Sequence, residues 1–455
     1  MVLAMARGDA IPLTGADCFL RAFDVETRRY SSASHRSQIV LRLGPGLAVE
    51  ALRESLHELA RANPILRAPI RRRFGLGAPV YRLDLARRAP LPPVDRHAAK
   101  LPPGASAPVD GVPLPELGTE RINAIVSARR GELFQADVVE YDEGRGGADV
   151  IFTWLHMLLD GNGSERFLAH WDAFARGEAA ARVDPPGEWG EAVVPGSAGE
   201  RGARARSWQA GIESFADHPP RSLSGPLSRE PQSLHYPVYS LDRERSQRVV
   251  ARASERAGFV TPALFYLAAA IRAHDAIFRA RGLDPGSYVV PLPVNLRGKG
   301  NESVIFRTRV SMLWFRVLRE QIGDLDGLVD ALKRQRREMV RSGTIDDGVA
   351  AMDFARFAPA RIYAKMARRT FGGELCSFFF AFTGEFLAGQ QSFLGAPILN
   401  GFHVAPVPVS PGSAAVMSLR DGRLNVTHVQ QRGLLSESEQ ALFRDRLFAD
   451  LLGES

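Results

Sequence analysis

The chain has 455 residues, 45% hydrophobic and 24% charged, a globular average that excludes a disordered or fibrous protein. The length exceeds what one hydrophobic core usually organises, so two domains are expected. A formal charge of +7 and a pI of about 9.7 suit an anionic partner. No zinc-finger spacing, RNA-binding signature or basic heptad helix points to nucleic acid.

The first residues are apolar only as far as Ala6, before Arg7 and Asp9, too short a run for a secretory signal. Cys18 and Cys376 cannot build a disulfide framework and fit a reducing compartment. The apolar run 263–271 is too short to span a bilayer. A cytoplasmic protein is expected.

The first clear helix is 49–62, where Leu52, Leu56, Leu59 and Ala60 form one stripe and Asn63-Pro64 ends it. Residues 65–71 read as extended, with Arg71-Arg72-Arg73 as a solvated strand end, and 88–115 as a Pro- and Ala-rich loop. The run 148–155, rich in β-branched and aromatic residues, is expected to be a buried strand. It leads into His156-Met-Leu-Leu-Asp160-Gly161, after which Ser164 is expected to cap a helix over 165–176.

A Gly-, Pro- and Arg-rich stretch with one helix near 203–216 marks the boundary. It divides the chain into an N-terminal lobe (1–190), a linker (191–237) and a C-terminal lobe (238–455). Helices are then expected at 242–257, 263–281, 325–341 and 349–368, and strands at 287–294, 304–318 and 375–383. Asp421-Gly422 signals a hairpin, and Ser436 with Glu439 the capping box of a last helix. Strands and helices in both halves give an α/β or α+β protein.

The chemistry centres on His156, Asp160 and Gly161. An imidazole titrating near neutrality can take a proton from an attacking alcohol or amine. Asp160 is placed to pin the turn through an arginine, since a buried carboxylate needs a partner. Gly161 is expected to permit a tight backbone and close substrate approach. A turn with a satisfied core histidine is the plainer alternative.

This segment resembles the HxxxDG motif of the chloramphenicol acetyltransferase-like superfamily. That group includes condensation domains, wax ester synthases, plant acyltransferases and polyketide-associated acyltransferases. The likeness continues in the 49–62 helix and the following Asn63-Pro64-Ile-Leu-Arg67 strand segment, in Pro293-Val-Asn-Leu-Arg297 with Gly300-Asn301, in Phe382-Thr383-Gly384, and in Leu424-Asn-Val-Thr-His428 with the Ser436 helix. Leu155 stands where many members carry a first histidine, so the chain is similar to the single-histidine branches. The DFGWG motif of the plant branch is absent.

The resemblance implies two lobes arranged as a V, with His156 as general base in a central tunnel. An acyl group would move from a thioester of coenzyme A or an acidic carrier protein to a hydroxyl or amine of a lipid or natural-product acceptor. It also implies an arginine from the second lobe on Asp160, with Arg297 the first choice and Arg316 the second, and oxyanion or substrate donors at Thr383 or Ser377. No bound cofactor or metal is expected, and a monomer suffices. A non-catalytic carrier-binding member, or condensation or cyclisation on a tethered intermediate, is the alternative. Cys18 and Cys376 are expected in the core, and His170, His274, His403 and His428 show no metal-ligand spacing. Serine-hydrolase, P-loop and dinucleotide motifs are absent.

Overall fold

The computed structural model describes residues 10–31, 33–73, 76–109, 112–183, 194, 196–224, 233–297, 304–408 and 410–454. The first six residues and Gly300-Asn301 lie outside them. Two large hydrophobic cores form, in keeping with the length of the chain.

The first core lies against a six-stranded sheet in the order Ser392–Phe393, Ala396–Val404, Arg36–Leu43, Ala148–Leu155, Phe134–Tyr141, Val94–Ala99. Ala148–Leu155 is buried along its whole length, as its β-branched and aromatic residues lead one to expect, with Asp149 paired to Arg42. Helices Gly15–Tyr30, Val49–Ala62 and Gly161–Ala175 cover this half. Leu52, Leu56, Leu59 and Ala60 are fully buried, the stripe that a 3.6-residue period lays on one face.

The second core packs Arg243–Ala257, Ala263–Ala280, Leu325–Arg341 and Glu437–Leu452 around two sheets. One is the hairpin Ser287–Asn295 with Val310–Leu318. The other runs Phe379–Glu385, Ser413–Arg420, Arg423–Gln431, Leu234–His235. Asp421 and Gly422 take φ of +50° and +73°, the backbone a two-residue hairpin turn requires.

The halves interlock. Ala396–Val404 lies far beyond the expected linker, yet it pairs antiparallel with Arg36–Leu43 and extends the first sheet. Helices Thr344–Ala355 and Ala360–Arg369 pack on Gly15–Tyr30. Between them Arg368 meets Glu26 at 2.6 Å, both buried.

Several boundaries differ from the sequence expectation for local reasons. Residues 64–67 form a 3₁₀ turn opened by Pro64, whose fixed φ suits a first helical position, and the strand begins only at Ile70. The 88–115 loop contains the strand Val94–Ala99, paired in parallel with Phe134–Tyr141. The helix expected over 349–368 is two helices divided at Pro359. Within 304–318 only Val310–Leu318 is strand. The helix Gly15–Tyr30 carries a Thr14–Asp17 capping box that the sequence reading passed over.

Candidate active site

The strand Ala148–Leu155 delivers His156 into a tight turn in which the carbonyls of residues 157–159 each accept a hydrogen bond. Tyr81 Oη donates to Met157 O at 2.8 Å, Arg307 N to Leu158 O at 2.7 Å, and Trp154 Nε1 to Leu159 O at 2.9 Å. His156 N donates to His35 O at 3.1 Å. Arg307 holds a φ of +70°, which costs a residue with a Cβ about 1 kcal/mol, where its N–H crosses from the second half to the turn.

Asp160, not Ser164, caps the following helix, which begins at Gly161, and its Oδ1 accepts from Gly163 N at 2.7 Å. Arg297 Nη1 donates to both carboxylate oxygens at 2.9 and 2.8 Å, and Arg309 N donates to Oδ2 at 2.7 Å. The rest of the Arg297 guanidinium reaches Val304 O and Ile305 O. Both side chains are almost wholly buried, with the polar partners a buried ion pair needs. Arg316 lies elsewhere: it donates to Ser214 O at 3.0 Å and sits 5.1 Å over the Phe215 ring. Of the two candidate arginines, only Arg297 meets Asp160.

The glycines divide the work unexpectedly. Gly161 does not adopt a left-handed backbone, and a Cβ there would sit 3.9 Å from His403 Cε1 and Thr383 Cγ2. It keeps the site open and is not needed for the turn. Gly163 is the position where no side chain fits: a Cβ would lie 2.4 Å from Ile305 O and 3.0 Å from Arg297 Nη2.

His156 Nδ1 lies 3.4 Å from Leu159 O. A carbonyl only accepts, so this nitrogen carries the proton and Nε2 keeps its lone pair. Burial pulls the pKa down to about 4, against the opposing pull of the Leu159 carbonyl and the Asp160 charge. The ring is therefore neutral at physiological pH.

Around it is a chamber of about 370 Å³ lined from both halves. One end is polar, with His156, Gly161, Asn162, Glu165, Thr383 and His403; the other is apolar, with Phe19, Leu20, Phe23, Met312, Met352 and Phe379. Two further histidines converge here. The His35 ring stands 5.8 Å from that of His156, and His403 Nε2 contacts Glu165 Oε1 at 2.8 Å. Four lining side chains carry buried polar atoms with no hydrogen-bond partner: Thr383 Oγ1, Ser37 Oγ, Thr308 Oγ1 and His35 Nδ1. Thr383 precedes Gly384, at a register shift against Ser413–Arg420, which turns its side chain to the chamber. Ser377 does not line the chamber: its Oγ accepts from Val289 N and its N–H donates to Val289 O. It staples the bend before Phe379–Glu385 to strand Ser287–Asn295.

His35, Gly163, Glu165 and His403 escaped the sequence reading. Glu165 and Gly163 had a signal, since they stand within one turn of Gly161. The two histidines had none, because sheet pairing alone brings them to the motif.

A second cavity, of about 690 Å³, lies beside Asn400 and Phe402 with Arg42 and Tyr236 and contains none of the motif residues. Among the described residues one cluster has metal-like spacing, Asp95, His97 and Asp137. The Arg121 guanidinium donates to Asp95 and Asp137 there and supplies the countercharge. Cys18 and Cys376 are both buried.

No family model matches the sequence, and no curated protein does. Solved structures do match. The first condensation domain of the CDA synthetase is 15% identical, with a TM-score of 0.67 over 98% of this chain and 96% of that one. The TRI3 trichothecene 15-O-acetyltransferase from Fusarium sporotrichioides is 12% identical, with a TM-score of 0.68 over 99% and 97%. The polyketide synthase associated protein 5 from Mycobacterium tuberculosis is 13% identical, with a TM-score of 0.61 over 99% and 100%. Two cores, a chamber between them and these matches over nearly full length give the chain the fold of these condensation-domain and acetyltransferase structures.

Proposed function

We propose that this protein is an acyltransferase in which His156 is the general base. The observation that carries the reading is a neutral imidazole, its Nδ1 tied to Leu159 O, in a chamber lined by both halves of the chain. His156 Nε2 takes the proton of an acceptor hydroxyl or amine. As that proton is taken, the acceptor oxygen or nitrogen forms its bond to the carbonyl carbon of a thioester. The tetrahedral oxyanion then collapses, the carbon–sulfur bond breaks, and the thiolate leaves with the proton returned by the imidazolium.

The Thr383 hydroxyl, without a protein partner, is a donor for the oxyanion or the acceptor. Asp160 and Arg297 position the turn and touch no reacting atom. The apolar end of the chamber suits an aliphatic or aromatic group. The positive net charge suits the phosphates of coenzyme A or of a carrier-bound phosphopantetheine, which act as donor substrates.

Incubation with a panel of acyl thioesters and hydroxyl or amine acceptors, read by mass spectrometry, tests the reading. His156→Ala should fold normally and lose on the order of 10²- to 10⁴-fold in transfer rate, the usual worth of a general base. A folded His156→Ala protein with the wild-type rate would refute the proposal.

A further inference from the structure

Ten large apolar side chains are exposed among the described residues, and four of them fall within one short stretch: Phe354, Phe357, Ile362 and Met366, each about half exposed. They occupy the end of helix Thr344–Ala355, the turn after it and helix Ala360–Arg369. In the second helix Tyr363, Ala364 and Arg368 face inward. The outward face carries Ile362 and Met366 in one row and Arg361, Lys365 and Arg369 in the next, all exposed.

The charge on this face has one sign. From residue 354 to residue 373 the sequence contains no aspartate or glutamate. Arg361, Lys365 and Arg369 have no acidic partner among the described residues. Arg356 lies 5.0 Å over the Phe357 ring. Arg72 donates to Phe357 O and Ala358 O, so its cation joins the same patch.

An exposed apolar cluster of this kind marks an interaction site. Bulky side chains standing out beside a row of cations match an amphipathic element lying in the headgroup region of a bilayer. A bilayer is favoured because the cations and apolar side chains lie in adjacent rows of one helix face, with no acidic residue between 354 and 373. The same helices back the chamber: Tyr363 packs on Phe19 at 5.9 Å between ring centroids, and Phe19 and Met352 line its apolar end.

We propose that the face formed by Phe354, Phe357 and the outward side of Ala360–Arg369 docks this protein on an anionic lipid bilayer. Phe357, Ile362 and Met366 enter the headgroup boundary, while Arg361, Lys365 and Arg369 meet lipid phosphates. The chain is a peripheral protein there, since no described helix is long and apolar enough to cross a membrane. The proposal is independent of which residue is the base in the chamber.

Cosedimentation of the full chain with vesicles of phosphatidylcholine alone, or mixed with phosphatidylglycerol, tests it. Wild type should pellet with the mixed vesicles and stay in solution with neutral ones, and raising salt to ~0.5 M should release most of it. Combining Arg361→Glu, Lys365→Glu and Arg369→Glu should weaken binding on the order of 100-fold, at about fivefold per cation. Ile362→Ser with Met366→Ser should weaken it about tenfold with unchanged circular dichroism. Arg145→Glu with Arg444→Glu, exposed arginines of the 142–147 turn and of helix Glu437–Leu452, should bind as wild type does. Wild type that stays in solution with mixed vesicles would overturn the proposal, and so would equal losses in the remote control. Capture by an acidic carrier protein without vesicle binding would assign the face to that partner instead.

Discussion

Gly161 and Gly163 stand two residues apart and answer to different neighbours. A methyl at 163 meets the Ile305 carbonyl and the Arg297 guanidinium, so Gly163→Ala should cost ~1–3 kcal/mol, typical of overpacking, and lower the melting temperature. A methyl at 161 finds ordinary contact distances to His403 and Thr383. Gly161→Ala should therefore keep the melting temperature and raise KM for the acceptor by narrowing the chamber. The arginines divide the same way. Arg297→Ala strands a buried carboxylate and should cost ~3 kcal/mol, whereas Arg316→Ala removes a contact to one carbonyl and one ring and should cost less than ~1 kcal/mol. Thermal melts of the four variants check both contrasts. Equal shifts for the two arginines would remove the Asp160–Arg297 clasp from the account.

At the scale of elements, helix Ala263–Ala280 and strand Arg423–Gln431 share a buried relay. His274 Nδ1 donates to Ala270 O, and Ser413 Oγ lies 3.1 Å from both His274 Nε2 and His428 Nε2. Burial holds His274 down to about 4 from its ordinary 6.5 and drives His428 well below that ordinary value. Between those limits the unfolded chain binds protons that the native chain refuses. The stabilisation is thus complete above about pH 6.5 and is lost as pH falls toward 4, at on the order of 1 kcal/mol per pH unit for each ring. Melting temperature should fall steeply from about pH 6 to about pH 4.5, and His428→Asn should flatten the slope. A wild-type melting temperature constant over that range would contradict the relay. His156 stays neutral through the same window, so acid loss of activity should follow unfolding.

The same scale explains what could be read in advance. The Ser436–Glu439 capping box and the Asp421-Gly422 hairpin were legible because each closes within a few residues. So was the strand before His156, and the Asp160 partner once a resemblance had singled out Arg297. The Asp160 cap was misassigned to Ser164 because both residue types favour that position, and only the Gly163 N–H contact decides between them. His35 and His403 were invisible because their places depend on pairing Arg36–Leu43 with strands distant in sequence on either side. Thr383 was legible by position but Ser377 was not excluded, since which face of a strand meets a cavity is a tertiary matter.

For the whole molecule, the expected division at 191–237 meets a chain that crosses back. Ala396–Val404 hydrogen-bonds into the first sheet, Arg309 N and Arg297 reach Asp160, and Arg368 is buried with Glu26. A fragment of residues 1–237 leaves a sheet edge, an acid and a carboxylate uncovered. It should be unfolded or aggregated alone, and recover native circular dichroism only when coexpressed with 238–455. A soluble, cooperatively melting 1–237 fragment would show that the first lobe is autonomous.

That returning strand also limits how the molecule can breathe. A wide jaw-like opening of the two halves would break the ladder between Ala396–Val404 and Arg36–Leu43, a cost that two bodies on a loose hinge do not carry. Under the proposed function, an acyl group entering the chamber would meet the rings of Phe19, Phe23 and Phe379. Room for a larger group would then come from rotamer changes of those rings, which are faster than collective motions of whole halves.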